Sequence, residues 1–206
     1  RQQFAQVTNP AIDPLREGIV MSLQTQIGPE CNIFSPAQHH AEQIVLSSPV
    51  LSQRKLRQIV ALADAGVPNE FIDLQYPEHL DLKTALALVC DRAEAAVRQG
   101  KVVLLLSDRY LVKGKVPVHA LLATGAVHHR LVKAGLRCKC NILVETGTAR
   151  DAHHFACLIG YGATAVYPYL AYQTLFDLMR KGALKMEAAM RQELGRSYRR
   201  GIRKGL

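Results

Sequence analysis

KVVLLLSD, residues 101–108, decides the fold class. Its apolar run without polar alternation suits a strand buried on both faces, as in a parallel sheet covered by helices. Two more runs of this kind follow, CNILVETG at 140–147 and ATAVYPYL at 163–170. Helical stretches separate and follow them: PVHALLATGAVHHRLVKAG (117–135), closed by Gly135, then ARDAHHFACLIGYG (149–162) and AYQTLFDLMRKG (171–182). Upstream, EFIDLQYP (70–77) reads as a short strand stopped by Pro77. LKTALALVCDRAEAAVRQ (82–99) reads as a helix capped by Asp81 and closed by Gly100. Four β/α units result, and right-handed crossovers lay their strands parallel. The expected class is α/β, a partial or reduced β/α barrel-like domain with mainly parallel strands. A small doubly wound sheet is the alternative topology.

Toward the N-terminus the pattern is less regular. Ser52 caps a helix expected to run to about Ala65, with Leu56, Ile59, Val60 and Ala63 on its buried side and Gly66 at its end. Residues 26–52 carry turn chemistry without a period and read as irregular. FAQVTNPAIDPLREGIVMSL (4–23) reads as an extended arm entering a helix. Pro10 and Pro14 hold Asn9 and Asp13 out of the α region. Asp13 then suits an N-cap, with Leu15, Ile19, Val20 and Leu23 on one helical stripe. Residues 1–206 read as a single domain, with 181–206 a basic helical extension.

With 49% hydrophobic and 21% charged residues, the composition is that of an ordinary globular chain. No apolar run approaches the roughly 18 residues that a membrane span requires. Five cysteines, Cys31, Cys90, Cys138, Cys140 and Cys157, suit reduced thiols in a cytoplasmic protein better than a disulfide framework. The net charge is +9, yet residues 180–206 hold nine Lys and Arg against two Glu. The excess is therefore a basic end, solvated or meeting an acidic neighbour. Tyr198 stands alone there, without the interleaved aromatics of single-strand binders, so nucleic acid is not an expected partner. Neither is a membrane.

Candidate chemistry is sparse. The pairs His39-His40, His128-His129 and His153-His154 place adjacent rings about 100° apart on a helix, so one pair cannot give two ligands on one face. They read as packing or interface residues. Cys138 and Cys140 lack a second cysteine cluster at metal-ligand spacing. Ligands of α/β sheets sit beyond the strand C-termini. Here those ends are Ser107, Asp108 and Arg109, then Glu145, Thr146 and Gly147, then Tyr167, Pro168 and Tyr169. Asp108 and Glu145 are candidate acid/base groups of an independent small-molecule site, the alternative reading of function. Neither GYGATA nor TGTARD forms a phosphate-binding glycine motif, and no nucleophile elbow is present. No catalytic residue, cofactor-binding residue or metal ligand is assigned.

Longer strings carry more information. FAQVTNPAIDPLREGIVMSL resembles the start of the central domain of the glutamate synthase large subunit. LLATGAVHHRLVKAGLRCKCNILVETGTARDAHHFACLIGYGATAVYPYLAY (121–172) is similar to the second half of that domain. YRRGIRKGL (198–206) resembles the link into its flavin domain. The arm and the segment around Ser107, Asp108 and Arg109 look closest to the bacterial NADPH-dependent type. In one departure, Arg130 stands where the family often has a third histidine after AVHH.

The resemblance implies a piece of a longer polypeptide and, within it, a structural and connecting role. The parent enzyme would convert L-glutamine and 2-oxoglutarate reductively to two L-glutamate. An amidotransferase domain would release ammonia; an FMN domain with an iron–sulfur cluster would use it. FAD and NADPH would enter through a small subunit, a further implied partner. This domain would bind no cofactor, join the two catalytic domains and line part of the ammonia channel, and would be inactive alone. Thr8 and Asn9 are the expected channel residues, with Asp13 and Arg16 fixing the adjoining helix. Local turn hydrogen bonding by Thr8 and Asn9 is the alternative. Residues 181–206 would lead to the flavin domain.

Overall fold

The computed structural model describes residues 21–28, 34, 43–184 and 190–206. At its centre, β3 (Asn69–Asp73), β5 (Val103–Ser107), β7 (Asn141–Glu145) and β8 (Ala165–Tyr167) form a parallel sheet. Their spatial order, β3-β5-β7-β8, follows the chain order. A doubly wound sheet reverses direction at a switch point; this one does not. The topology is therefore that of a partial β/α barrel. The outer edge of β8 is covered by the segment at Val50, where Val166 N–H donates to Pro49 O at 2.8 Å and Leu51 N–H to Val166 O at 2.9 Å.

Alternation along the strands explains why both faces are apolar. Ile72, Leu104, Leu106, Ile142, Val144 and Val166 pack under α2 (Leu82–Arg98), α3 (Ala120–Lys133) and α4 (Ala152–Gly160). Val103, Leu105, Leu143, Ala165 and Tyr167 face α1 (Gln53–Ala61) and α5 (Tyr169–Arg180). A two-stranded antiparallel ribbon, β1 (Thr25–Ile27) with β2 (Ile44–Leu46), closes that second face through Ile27 and Leu46.

The helix ends follow local chemistry. Ser52 Oγ accepts from Lys55 N–H at 3.3 Å and Asp81 Oδ1 from Thr84 N–H at 2.9 Å. Asp151 forms a reciprocal capping box with His154 at the start of α4. α1 stops at Ala61, short of Ala65, and a turn carries the chain to Gly66.

Three stretches depart from the sequence expectation. Residues 26–52 contain β2 and most of β1 instead of irregular chain alone. EFIDLQYP divides at buried Leu74: after β3, β4 (Gln75–Pro77) leaves the main sheet and pairs antiparallel with β6 (Lys115–Pro117). At 21–23, the described end of the expected first helix, the backbone is not helical. The rest of that helix, the proline arm, Thr8, Asn9, Asp13 and Arg16 lie outside the described residues. So do Cys31 and the His39-His40 pair.

The C-terminal helix α6 (Arg191–Gly205) is docked on the fold. Leu194 and Ile202 are buried, and the Tyr198 hydroxyl donates to Arg150 O at 2.9 Å. A Cβ on Gly205 would lie 2.6 Å from the Ala152 methyl, so glycine permits the close approach of α6 to the start of α4.

Candidate functional site

Among the described residues, buried polar side chains concentrate at the C-terminal edge of β5 and β7: Ser107, Asp108, Glu145 and Thr146. The parallel register places Ser107 beside Glu145. That neighbourhood puts both sequence-predicted carboxylates at one edge. A buried carboxylate is stabilised by hydrogen bonds and by a paired charge: Glu145 obtains both, and Asp108, among the described residues, obtains hydrogen bonds.

Glu145 accepts from Arg109 Nη1 at 2.8 Å through one oxygen and from Ser107 Oγ at 2.8 Å through the other. The Arg109 and Glu145 side chains are 17% and 6% exposed, so this ion pair is shielded from water. Burial pulls the Arg109 pKa down, but the bond and charge of Glu145 more than offset it and the net shift is upward. The guanidinium also lies 4.9 Å from the Tyr110 ring centre and 5.4 Å from that of Tyr169. Asp108 accepts from the Thr146 hydroxyl and, at 2.9 Å, from Gly147 N–H. Burial, then the Asp108 charge, raise the Tyr169 phenol above its ordinary pKa.

Gln75 clamps the loop behind this cluster. Its Nε2 donates to Arg109 O and Tyr110 O at 3.3 and 3.1 Å, while its Oε1 accepts from Val112 N–H at 2.8 Å. Tyr110 adopts a left-handed φ of 66° within that loop. Sequence reasoning missed Gln75, and nothing at its position signals a partner 34 to 37 residues away.

The two carboxylates thus sit in a closed arrangement. Among the described residues, no buried side-chain nitrogen or oxygen lacks a hydrogen-bond partner. A phosphate at the β7–α4 turn would use its backbone N–H groups. Gly147 N–H is engaged by Asp108 and Thr148 N–H by the Thr146 hydroxyl. Those two N–H groups are therefore already taken by the chain's own side chains.

The remaining candidates have structural duties. His128 accepts from Arg137 Nε at 3.0 Å, and Arg137 also reaches the carbonyls of Cys140 and Gly162 at 2.7 and 2.8 Å. Burial and then the Arg137 charge lower the His128 pKa, favouring the neutral ring that can accept this bond. His154 caps α4, and His153 lies one helical turn from Cys157, with Nε2 3.6 Å from its sulfur. Burial raises the Cys140 thiol to about 11, unfavourable for a thiolate ligand. Among the described residues, no group of three or more His, Cys, Asp or Glu is placed to hold a metal ion. Arg130, at the departure from the family pattern, joins α3 to Asp91 and Glu94 of α2, at 2.6 Å each.

Comparison with known proteins gives the family. The sequence profile described as "Glutamate synthase central domain" matches residues 1–206. Ferredoxin-dependent glutamate synthase 2, chloroplastic, of Arabidopsis thaliana is 41% identical over 100% of this chain, which spans 13% of that relative. The large chain of the NADPH glutamate synthase of Bacillus subtilis (strain 168) is 39% identical over 98% of this chain and 13% of its own length. The ferredoxin-dependent enzyme of Antithamnion sp. is 42% identical, with 14% of its length covered. The chain belongs to the glutamate synthase central-domain family. Similar identities to both donor classes show the family without separating its subtypes.

Proposed function

We propose that the chain is the structural and connecting part of a glutamate synthase polypeptide, placed between amidotransferase and FMN domains. The observation that carries this reading is the family match over residues 1–206 together with the closed strand-end cluster. An independent small-molecule site would expose Asp108 and Glu145; here both serve the fold. The parent reaction is the reductive conversion of L-glutamine and 2-oxoglutarate to two L-glutamate. FMN and the iron–sulfur cluster belong to the parent's flavin domain, and FAD and NADPH to a small subunit.

In this reading residues 1–206 form a single, cytoplasmic domain, inactive alone, with 181–206 leading toward the flavin domain. Among the described residues no helix is long and apolar enough to cross a membrane. The bacterial NADPH-dependent subtype rests on the strings at 4–23 and around Ser107–Arg109 alone.

The channel role belongs to Thr8 and Asn9, with Asp13 and Arg16 as supports. Small hydroxyl and amide groups on an extended segment can hydrogen-bond a passing ammonia molecule. The test is Thr8→Val in the full-length enzyme. Glutamine hydrolysis and ammonia-dependent glutamate formation are expected to persist separately, while the glutamate formed per glutamine hydrolysed falls. An unchanged ratio overturns the assignment.

A further inference from the structure

Five cations from two distant stretches of sequence line one cleft of about 320 Å³. Lys55 comes from the first turn of α1; Arg196, Arg199, Arg200 and Arg203 come from α6. The basic end of the chain is therefore half of a composite surface that the fold assembles. Serine hydroxyls supply much of the remaining wall, so the cleft is polar.

Among the described residues, counter-charge is scarce there. Glu193 lies 3.5 Å from both Arg196 and Arg200, and Arg199 reaches the Tyr172 hydroxyl at 3.4 Å. Among the described residues, Lys55 Nζ and the Arg203 guanidinium have no hydrogen-bond or ion-pair partner. The arginines recur three, four and seven residues apart on α6, while buried Leu194 and Ile202 hold the helix to the fold. Like charges at this spacing repel, so incoming negative charge stabilises the face. Guanidinium groups bind carboxylates bidentately.

We propose that this cleft docks a carboxylate-rich stretch, Asp and Glu side chains, from the part of the same polypeptide outside residues 1–206. The proposal rests on the connector reading: the chain spans 13% of the Arabidopsis relative, so most of such a polypeptide lies outside it. Acidic side chains complement the cleft's charge and its guanidinium geometry. Docking them would fix the orientation of a neighbouring domain against α1 and α6.

Zero-length carbodiimide cross-linking of the full-length polypeptide tests it. The reagent activates a carboxylate, and a touching amine displaces the urea to form an amide. Peptide mapping is expected to find Lys55 joined to an Asp or Glu outside residues 1–206 of the same molecule. The link should weaken in 1 M salt, where the Debye length is about 3 Å, and be lost in the Arg200→Gln/Arg203→Gln variant. Lys55 that takes an amine-reactive ester but forms no such link overturns the proposal. A link only to a second copy overturns it too, as does nucleic acid displacing the link with a steep salt dependence. Glutamine-dependent glutamate formation, followed in the same preparation, separates the two readings. An active enzyme with Lys55 unlinked overturns docking alone. Lys55 linked in a polypeptide without glutamate synthase activity keeps docking and overturns the connector role.

Discussion

The C-terminal edge of β5 and β7 and the cleft between α1 and α6 handle charge in opposite ways. At the strand edge, Asp108 and Glu145 are nearly excluded from water, and their oxygens accept from Arg109, Ser107, Thr146 and Gly147. At the cleft, among the described residues, one glutamate faces four arginines and a lysine. The first region occupies the usual ligand position of an α/β sheet and is closed by its own side chains. The second reads in sequence as a solvated end and is where, among the described residues, positive charge exceeds its counter-charge. Residue type at a topologically favoured position is thus a poor guide to an open site; the pairing of its groups decides.

Breaking the closed region carries the largest expected effect. Glu145→Ala leaves the shielded Arg109 guanidinium and the buried Ser107 hydroxyl without their acceptor. Loss of one member of a buried pair costs about 3 kcal/mol or more. Urea unfolding followed by far-UV circular dichroism should show a lower midpoint with little change in slope. The paired replacement Arg109→Met/Glu145→Leu should recover much of the loss, because it also removes the stranded charge. Near-wild-type stability of Glu145→Ala would mean that the cluster is not closed, contradicting the comparison.

A smaller effect is expected at Gly162, where the strut from Arg137 ends. Gly162 has a left-handed φ of 111°, and a Cβ there would lie 2.4 Å from His128 Nδ1. Gly162→Ala combines backbone strain with displacement of the His128 ring, for a loss of roughly 2 kcal/mol. In Gly162→Ala/His128→Ala the ring clash should be relieved, while the backbone part and the 2.9 Å approach to the Cβ at position 128 remain. Full recovery in that double variant would show that the left-handed backbone contributes nothing.

Much of the fold was legible because its signals are local. The apolar run of β5 and the cap at Asp81 are legible from neighbouring residues. Sequential helices and strands gave four β/α units, but the choice between barrel order and doubly wound order needed the observed neighbours. The ribbons β1–β2 and β4–β6 escaped detection because three residues per strand cannot show a period and two of those strands end in proline. At the strand edge the residue types were legible and their closure was not. Ser107 and Arg109 meet Glu145 across 38 and 36 residues of chain, a separation local patterns do not encode. The docking of α6 was hidden in the same way: its charges dominate the composition, while Leu194, Tyr198 and Ile202 determine where it packs.

The smallest expected effect sharpens the contrast from the other side. Arg203 is exposed and has no side-chain partner among the described residues, so Arg203→Gln removes repulsion without removing a bond. Its unfolding free energy should stay within about 0.5 kcal/mol of the parent chain, because relief of repulsion offsets the loss of a cation from the last turn of α6. Added salt should raise the parent's stability slightly by screening the arginine face, and raise that of the variant less. Both trends belong to a surface whose charges repel. A loss comparable to that of Glu145→Ala would instead give Arg203 a structural counter-charge within the chain, and the two regions would then be organised by the same rule.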